Sequence, residues 1–547
     1  MNRFFATLSL ILLLSLAGAA GMEALPSDPS TFQPFGCTFF QTLPYTDAQF
    51  GDITGRVYRP VSGLCVSTGA PPADRPVVLL FNGNGYTYFD YDDLARHLAG
   101  NGFVVVVQAD EMNPPLFCDG PGTTCIEDRA RKGIAYLKLL RDNWEWSDQL
   151  DFTNISVVGH SRGGEAAVEA AAIIRWEEDD LGNSGVRAVV SLAPTDVGTD
   201  GLTGRRRLLG RESPAFLVVY GSRDEQVSGY SPLDPPLPFL PPQTGFALYD
   251  RAGTEGSLEG FPISLDNQVE KAMQFVYLAN HNQFSDRCGS SVSCGPTILS
   301  CANQHKVAKG LVNAFLRWKV LSDSGYKAWF DGTVQNPWGL EIWPQFSEGA
   351  WQSRRVIDNF QDGEVATNTL GGTLSVNGNL QAQVVDNGQT DPRSLHGPED
   401  GFRLEVTHDG VSFSNILQWS IPAVQKNVAS FTHLSFRIGQ DSAASGSARV
   451  SVRLKRGNAW SAVVSSEDFG EIPEPDHMGT TFCLGGSQYP DRTVVHLRTI
   501  RIPLSAFGGD LTNLQLVQIR FDDATTLDKV LYLDNLELTG GTPQVGL

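Results

Sequence analysis

Ile155-Ser156-Val157-Val158-Gly159-His160-Ser161-Arg162-Gly163-Gly164-Glu165-Ala166-Ala167-Val168-Glu169-Ala170-Ala171-Ala172-Ile173-Ile174 changes texture at one residue, Ser161. Before it lies an apolar run of the kind that forms a buried strand; after it lies a strong helix former. Ser161 sits between them in a G-x-S-x-G turn, Gly159 to Gly163. Glycines are needed there because a strand and a helix that pack closely leave no room for side chains. A turn this tight holds its central residue in a strained conformation and exposes the serine Oγ.

A serine hydroxyl is a poor nucleophile until a histidine removes its proton, and a carboxylate must orient that histidine. The chain has only nine histidines. Ala215-Phe216-Leu217-Val218-Val219-Tyr220 reads as a buried parallel strand ending in Gly221-Ser222-Arg223-Asp224. Asp224 then lies just past its carboxyl end, where ligand chemistry sits in open α/β sheets. Asp196, after the strand Val186 to Leu192, and Glu225 are its rivals. Phe275-Val276-Tyr277-Leu278 delivers Ala279-Asn280-His281, which puts His281 on a loop at the same sheet edge. His160 is next to the serine in sequence but points away from its hydroxyl, and reads as packing beneath the turn. An oxyanion needs backbone N–H groups aimed at it. Arg162, after the serine, supplies one. The loop Asn82-Gly83-Asn84-Gly85-Tyr86, after the strand Pro76 to Phe81, supplies the other, from Asn84. A dinucleotide reading of this loop fails, since G-x-G-x-x-G would need glycine where Tyr88 stands.

With these stretches in hand, residues from about 50 to 320 resemble the secreted α/β-hydrolases of the dienelactone hydrolase, chlorophyllase and cutinase-like group. The matching stretches are Phe81-Asn82-Gly83-Asn84, Tyr91 to Ala99 with Gly102 to Val106, Gly159 to Gly164, Gly221 to Asp224, and Asn280 to Phe284. The resemblance implies an α/β-hydrolase fold with a mainly parallel sheet and a catalytic triad of Ser161, Asp224 and His281. It implies an oxyanion hole from the Asn84 and Arg162 amides and no cofactor for the chemistry. The polyester hydrolases near this group carry an aromatic where Asn84 stands, Met at Arg162 and Trp near Thr195. Those departures, with Arg162 and Asp196, imply a more polar pocket.

Residues 1–20 read as a secretory signal: Arg3, an apolar run from Phe4 to Leu16, then small residues to Ala20. The expected location is secreted or periplasmic, with no membrane span. Eight cysteines without a C-x-x-C pair fit disulfides rather than zinc. Cys118 with Cys125 and Cys37 with Cys65 are candidate pairs. A bridge within the trio Cys288, Cys294 and Cys301 would brace the loop after His281, leaving one of the three free or joined to Cys483. A net charge of −20 disfavours nucleic acid and anionic membranes as partners.

The segment 21–322 reads as the catalytic domain. Within it, an insertion at 229–261 containing Pro235-Pro236-Leu237-Pro238 reads either as a wall of the active site or as a rigid surface loop. Residues 323–353 hold Trp329, Trp338, Trp343 and Trp351 and read as a packed interdomain segment. From 354 to 547, short β-branched strands separated by Gly, Asn, Asp and Ser turns predict an all-β sandwich. Its ends, Val356 to Phe360 and Tyr532 to Leu536, resemble jelly-roll, galactose-binding-like carbohydrate modules. That resemblance implies a structural calcium at Asp358, Asp362 and Asp534, oxygen ligands suited to a hard cation. It also implies a polysaccharide partner, with Trp419, Trp460 and Tyr489 as candidates for stacking on sugars.

Two functions follow. The first is an exported serine esterase acting on a carbohydrate or plant-wall ester, or on a lipid or polyester. The second is a non-catalytic carbohydrate-binding or adhesion protein on a hydrolase scaffold.

Overall fold

A computed structural model describes residues 27–61, 69–108, 125–176, 181, 185–195, 214–224, 244–252, 269–288, 298–349, 353–386, 402–408, 410, 412–441, 446–478, 481–482, 488–489 and 492–541. The signal segment, Asp196, Glu225, Cys65, Cys118, Cys294, Cys483 and Trp351 lie outside the described residues.

Nine strands form the first sheet: β1 (Thr38–Asp47), β2 (Gly51–Pro60), β3 (Arg75–Phe81), β4 (Val104–Gln108), β5 (Leu150–His160), β6 (Val186–Leu192), β7 (Ala215–Arg223), β8 (Lys271–Asn280) and β9 (Ile342–Ser347). Their spatial order is β1-β2-β4-β3-β5-β6-β7-β8-β9. β3 to β8 run parallel. β1, β2 and β9 join antiparallel at the two edges. The central strands are apolar at almost every position because both faces are covered. Val77, Leu79 and Phe81 pack on one side beneath α2 (Cys125–Asn143), α3 (Arg162–Trp176) and α4 (Thr244–Arg251). Val78 and Leu80 pack on the other, beneath α1 (Asp92–Gly100) and α5 (Cys301–Val320). Among the described residues no helix is long and apolar enough to cross a membrane.

The chain order reverses between β3 and β5. β3 leads outward through α1 to β4, and β5 leads the other way through α3 to β6. A crevice opens at the carboxyl ends of two adjacent strands whose connections diverge. The loop at Asn82 and the turn at Ser161 both lie there.

The tryptophan-rich segment is not a separate piece. Its residues Ile342–Ser347 are β9, hydrogen-bonded along β8. Trp343 joins one core of the first sheet and Trp329 the other. The insertion read at 229–261 contributes α4, whose Phe246 packs on Tyr220 and Phe275.

Among the described residues, the C-terminal part is built on two six-stranded antiparallel sheets sharing one core, with two further two-stranded ladders. Trp419 lies at its centre, fully buried, and donates from Nε1 to Asp358 Oδ2 at 2.8 Å. It is therefore closed to any sugar. The guanidinium of Arg453 lies 4.1 Å from the ring centroid of Trp460, and the Tyr489 side chain lies outside the described residues.

The two parts meet over a polar, buried seam. His496 stacks on Phe275 of β8 with ring centroids 5.2 Å apart, and also touches Phe246 and Trp343. Arg437 bonds Gln345 of β9 at 2.6 Å and Asp534 at 2.9 Å. Arg501 bonds Asp331 at 2.5 Å and Glu348 at 2.8 Å.

Candidate active site

The elbow is built by contact between strand and helix. A Cβ on Gly159 would lie 1.9 Å from the Gly163 carbonyl oxygen, and a Cβ on Gly163 would lie 2.5 Å from the Asn82 oxygen. Ser161 has φ 57°, a left-handed conformation that non-glycine residues adopt only where the surroundings enforce it. Here the surroundings are hydrogen bonds. The Ser161 N–H donates to the Leu192 carbonyl at 2.9 Å, and its own carbonyl accepts from Gly164, Glu165 and Thr195. The residue is 7% exposed, at the N-terminus of α3. The Arg162 amide therefore stands at the positive end of a helix.

The loop after β3 lies directly over the serine. A Cβ on Gly83 would sit 3.3 Å from Ser161 Cβ and 3.1 Å from His160 Nδ1. The Gly83 N–H donates to Tyr91 Oη at 2.9 Å, so it is turned away from any substrate oxygen. That leaves Asn84 as the next amide along the loop. The Asn84 side-chain oxygen is buried without a hydrogen-bond partner among the described residues.

Asp224 follows β7 and His281 follows β8, and the two strands are neighbours. The structure brings the side chains together. His281 Nδ1 lies 2.9 Å from Asp224 Oδ2 and 3.1 Å from Oδ1, with both residues about 1% exposed. Nδ1 therefore carries the proton, since a carboxylate only accepts. Nε2 is buried without a hydrogen-bond partner among the described residues, so it makes no hydrogen bond to Ser161 Oγ. A general base must reach the proton it takes, and here that nitrogen is unoccupied rather than bonded to the serine.

Sequence reading missed how firmly the histidine loop is held. Leu278 takes φ 61°, a kink that turns the end of β8, and its N–H donates to Ser222 Oγ at 2.9 Å. Gln304 of α5 clamps Asn280 by two hydrogen bonds, at 2.7 and 3.0 Å. Arg287 reaches back to Asp90 at 2.7 Å and to the Gly85 carbonyl at 2.8 Å. Cys288 is bonded to Cys301 at the start of α5, with Cα atoms 5.4 Å apart. The trio's bracing bridge is thus this pair. Cys37 is also disulfide-bonded. Burial raises the Asp286 carboxyl to about 6.

Asp358, Asp362 and Asp534 are not gathered into a group of ligands for one ion. Asp358 is bonded to Trp419, and burial raises its carboxyl to about 6. Asp534 is ion-paired to Arg437, and Asp362 accepts from the Glu364 amide and the Thr367 hydroxyl. As placed, the three residues serve these separate partners and do not converge on one ion.

No protein-family model matches the chain. A stretch of 112 residues is 30% identical to the magnesium-chelatase 30 kDa subunit of Rhodobacter capsulatus. It covers 20% of this chain and 35% of that protein, so the chain spans about a third of its relative's length.

Proposed function

We propose that this protein is an exported serine esterase of α/β-hydrolase architecture. The observation that carries the reading is the buried His281–Asp224 pair, with His281 Nε2 making no hydrogen bond among the described residues, at the sheet edge that also presents Ser161 in a strained strand-to-helix turn. The strand order and the parallel run β3 to β8 support the same reading. In it, Ser161 Oγ attacks the ester carbonyl while His281 Nε2 takes its proton. The Asn84 and Arg162 amides receive the oxyanion. His281 then protonates the departing alcohol, water attacks the acyl-enzyme by the reverse sequence, and Ser161 is restored. Asp224 fixes the imidazole tautomer and stabilises its positive charge. Disulfides at Cys37 and between Cys288 and Cys301 suit an oxidising compartment.

The test is hydrolysis of short-chain and long-chain p-nitrophenyl esters by the purified protein beside Ser161→Ala, with fluorophosphonate labelling of both. Activity and labelling lost in the variant are the expected result. A chain-length preference then separates a small acyl group on a carbohydrate from a lipid or polyester. Folded wild-type protein that neither hydrolyses nor labels would move the assignment to a binding protein on this scaffold.

A further inference from the structure

His160 lies beneath the serine and takes no part in the triad, yet every polar atom of its ring is engaged. Nε2 lies 3.0 Å from the His281 carbonyl oxygen, and Nδ1 lies 2.7 Å from Tyr91 Oη. The proton positions follow from the partners. A carbonyl oxygen can only accept, so Nε2 carries the hydrogen. Nδ1 is then an acceptor, and the Tyr91 hydroxyl must donate to it. The Tyr91 oxygen in turn accepts the Gly83 N–H. The result is one continuous chain, from Gly83 N–H through Tyr91 and His160 to the His281 carbonyl, in which each group is used in one direction.

We propose that His160 is a positioning residue that sets the distance between the base His281 and the oxyanion-hole loop at Gly83–Asn84, through this hydrogen-bonded chain. The proposal rests on the serine-esterase reading.

Three features support it. First, the ring lies between the two loops it would couple. Its centroid is 4.8 Å from that of His281 and 5.4 Å from that of Tyr86. Second, the chain cannot reverse. His160 and Tyr91 are no more than 1% exposed, and burial holds the imidazole neutral and the phenol protonated. A second proton on His160 would leave the Tyr91 hydroxyl hydrogen without its acceptor. Third, a parallel strut joins the same loops: Tyr86 Oη donates to Asn282 Oδ1 at 2.5 Å, and Asn82 Nδ2 donates to the Tyr86 carbonyl. Base and oxyanion donors act on the same tetrahedral carbon, so an error in their separation is felt in the transition state more than in the bound substrate.

The two ring nitrogens can be tested apart. A glutamine at 160 places an amide N–H near the position of Nε2 and can keep the bond to the His281 carbonyl. An asparagine places its amide near Nδ1 and cannot reach that carbonyl. In the full chain, with active sites counted by fluorophosphonate titration, His160→Asn should lower kcat by about 30- to 100-fold with KM within about threefold. His160→Gln, which keeps the bond to the His281 carbonyl but leaves the Tyr91 hydroxyl without its acceptor, should recover kcat only in part, to between His160→Asn and wild type. Tyr91→Phe, which removes the bonds to Gly83 and to His160 Nδ1 and leaves that to the His281 carbonyl, should fall between wild type and His160→Asn at an unchanged KM. Wild-type kcat in His160→Asn would overturn the proposal. So would a His160→Gln variant as slow as His160→Asn, which would show that ring shape rather than the link matters. Should His160→Asn not fold, Tyr91→Phe decides: a wild-type kcat there overturns the proposal. Wild-type protein that neither labels nor hydrolyses would instead sink the esterase reading, and this proposal with it.

Discussion

Arg501→Met tests whether the two halves of the molecule share one stability. Arg501 projects from the sandwich strand Arg498–Pro503 into the seam and is 6% exposed. It bonds Asp331 and Glu348 and lies 5.1 Å from the ring centroid of Phe346. Methionine keeps most of the apolar contact and removes the charge. Deleting one partner of a buried pair costs about 3–5 kcal/mol, because the other charge stays buried and unpaired. Lys327, 2.8 Å from Glu348, and the Gly540 amide remain, so the lower end, about 3 kcal/mol, is expected. Urea unfolding read by tryptophan fluorescence measures it, since Trp343 and Trp329 flank the seam. The pH dependence sharpens the test. Burial alone would raise the Glu348 carboxyl, but Arg501 and then Lys327 more than reverse that, and it lies below its ordinary value. Its contribution in the wild type is therefore present above the unfolded pKa and lost as pH falls through the lowered folded one. Without Arg501 the largest lowering influence on Glu348 is gone and its folded pKa rises, so the variant gains less stability than the wild type as pH rises through the carboxylate range. The deficit should be widest at neutral pH and narrow on acidification toward about pH 4.5. A deficit under about 1 kcal/mol at pH 7, or one that does not narrow, would refute the reasoning.

Two further outcomes are expected. Asp224→Asn should lower kcat by about 10³- to 10⁴-fold in esterase assays with little change in thermal midpoint, since the amide can donate to Nδ1 and leave the proton on Nε2; a loss under tenfold would point to another carboxylate. Cys288→Ser with Cys301→Ser should cost about 2–3 kcal/mol in urea unfolding, from a loop closed at a separation of 13 residues. An unchanged midpoint would mean that the Gln304 clamp and the Arg287–Asp90 pair hold the loop unaided.

The elbow was legible because its signal is local. The apolar run, the glycines and the alanine-rich helix after Ser161 each state their geometry within a few residues. Asp224 and His281 could be placed because a parallel sheet delivers the loops after its strands to one edge. The rest was not legible for a common reason. The Tyr91–His160 bond spans 69 positions and His160–His281 spans 121, and no periodicity marks either. β1 and β2, at the edge, alternate too weakly to stand out from a loop. β9 contains Pro344 and two polar positions, so it does not read as a strand of the first sheet until β8 supplies its partner.

The seam shows what the sequence left open, how the C-terminal sandwich meets the first sheet. Along Arg498-Thr499-Ile500-Arg501-Ile502-Pro503, alternation puts Ile500 and Ile502 into the sandwich core and turns Thr499 and Arg501 outward. An arginine on the outer face of a strand normally means solvent. Here Thr499 Oγ1 accepts the Phe346 amide at 3.0 Å, and Arg501 meets two carboxylates from the other half. The outer face of one sheet is an inner face of the molecule. The Phe275 ring that carries His496 belongs to β8, five positions before Asn280, so the sandwich leans on the strand that delivers His281. A cut between the halves would leave Phe275 and Trp343 of the first core open where His496 now covers them, and Glu348 without Arg501, so the cost of separation falls on the seam rather than on the sandwich core.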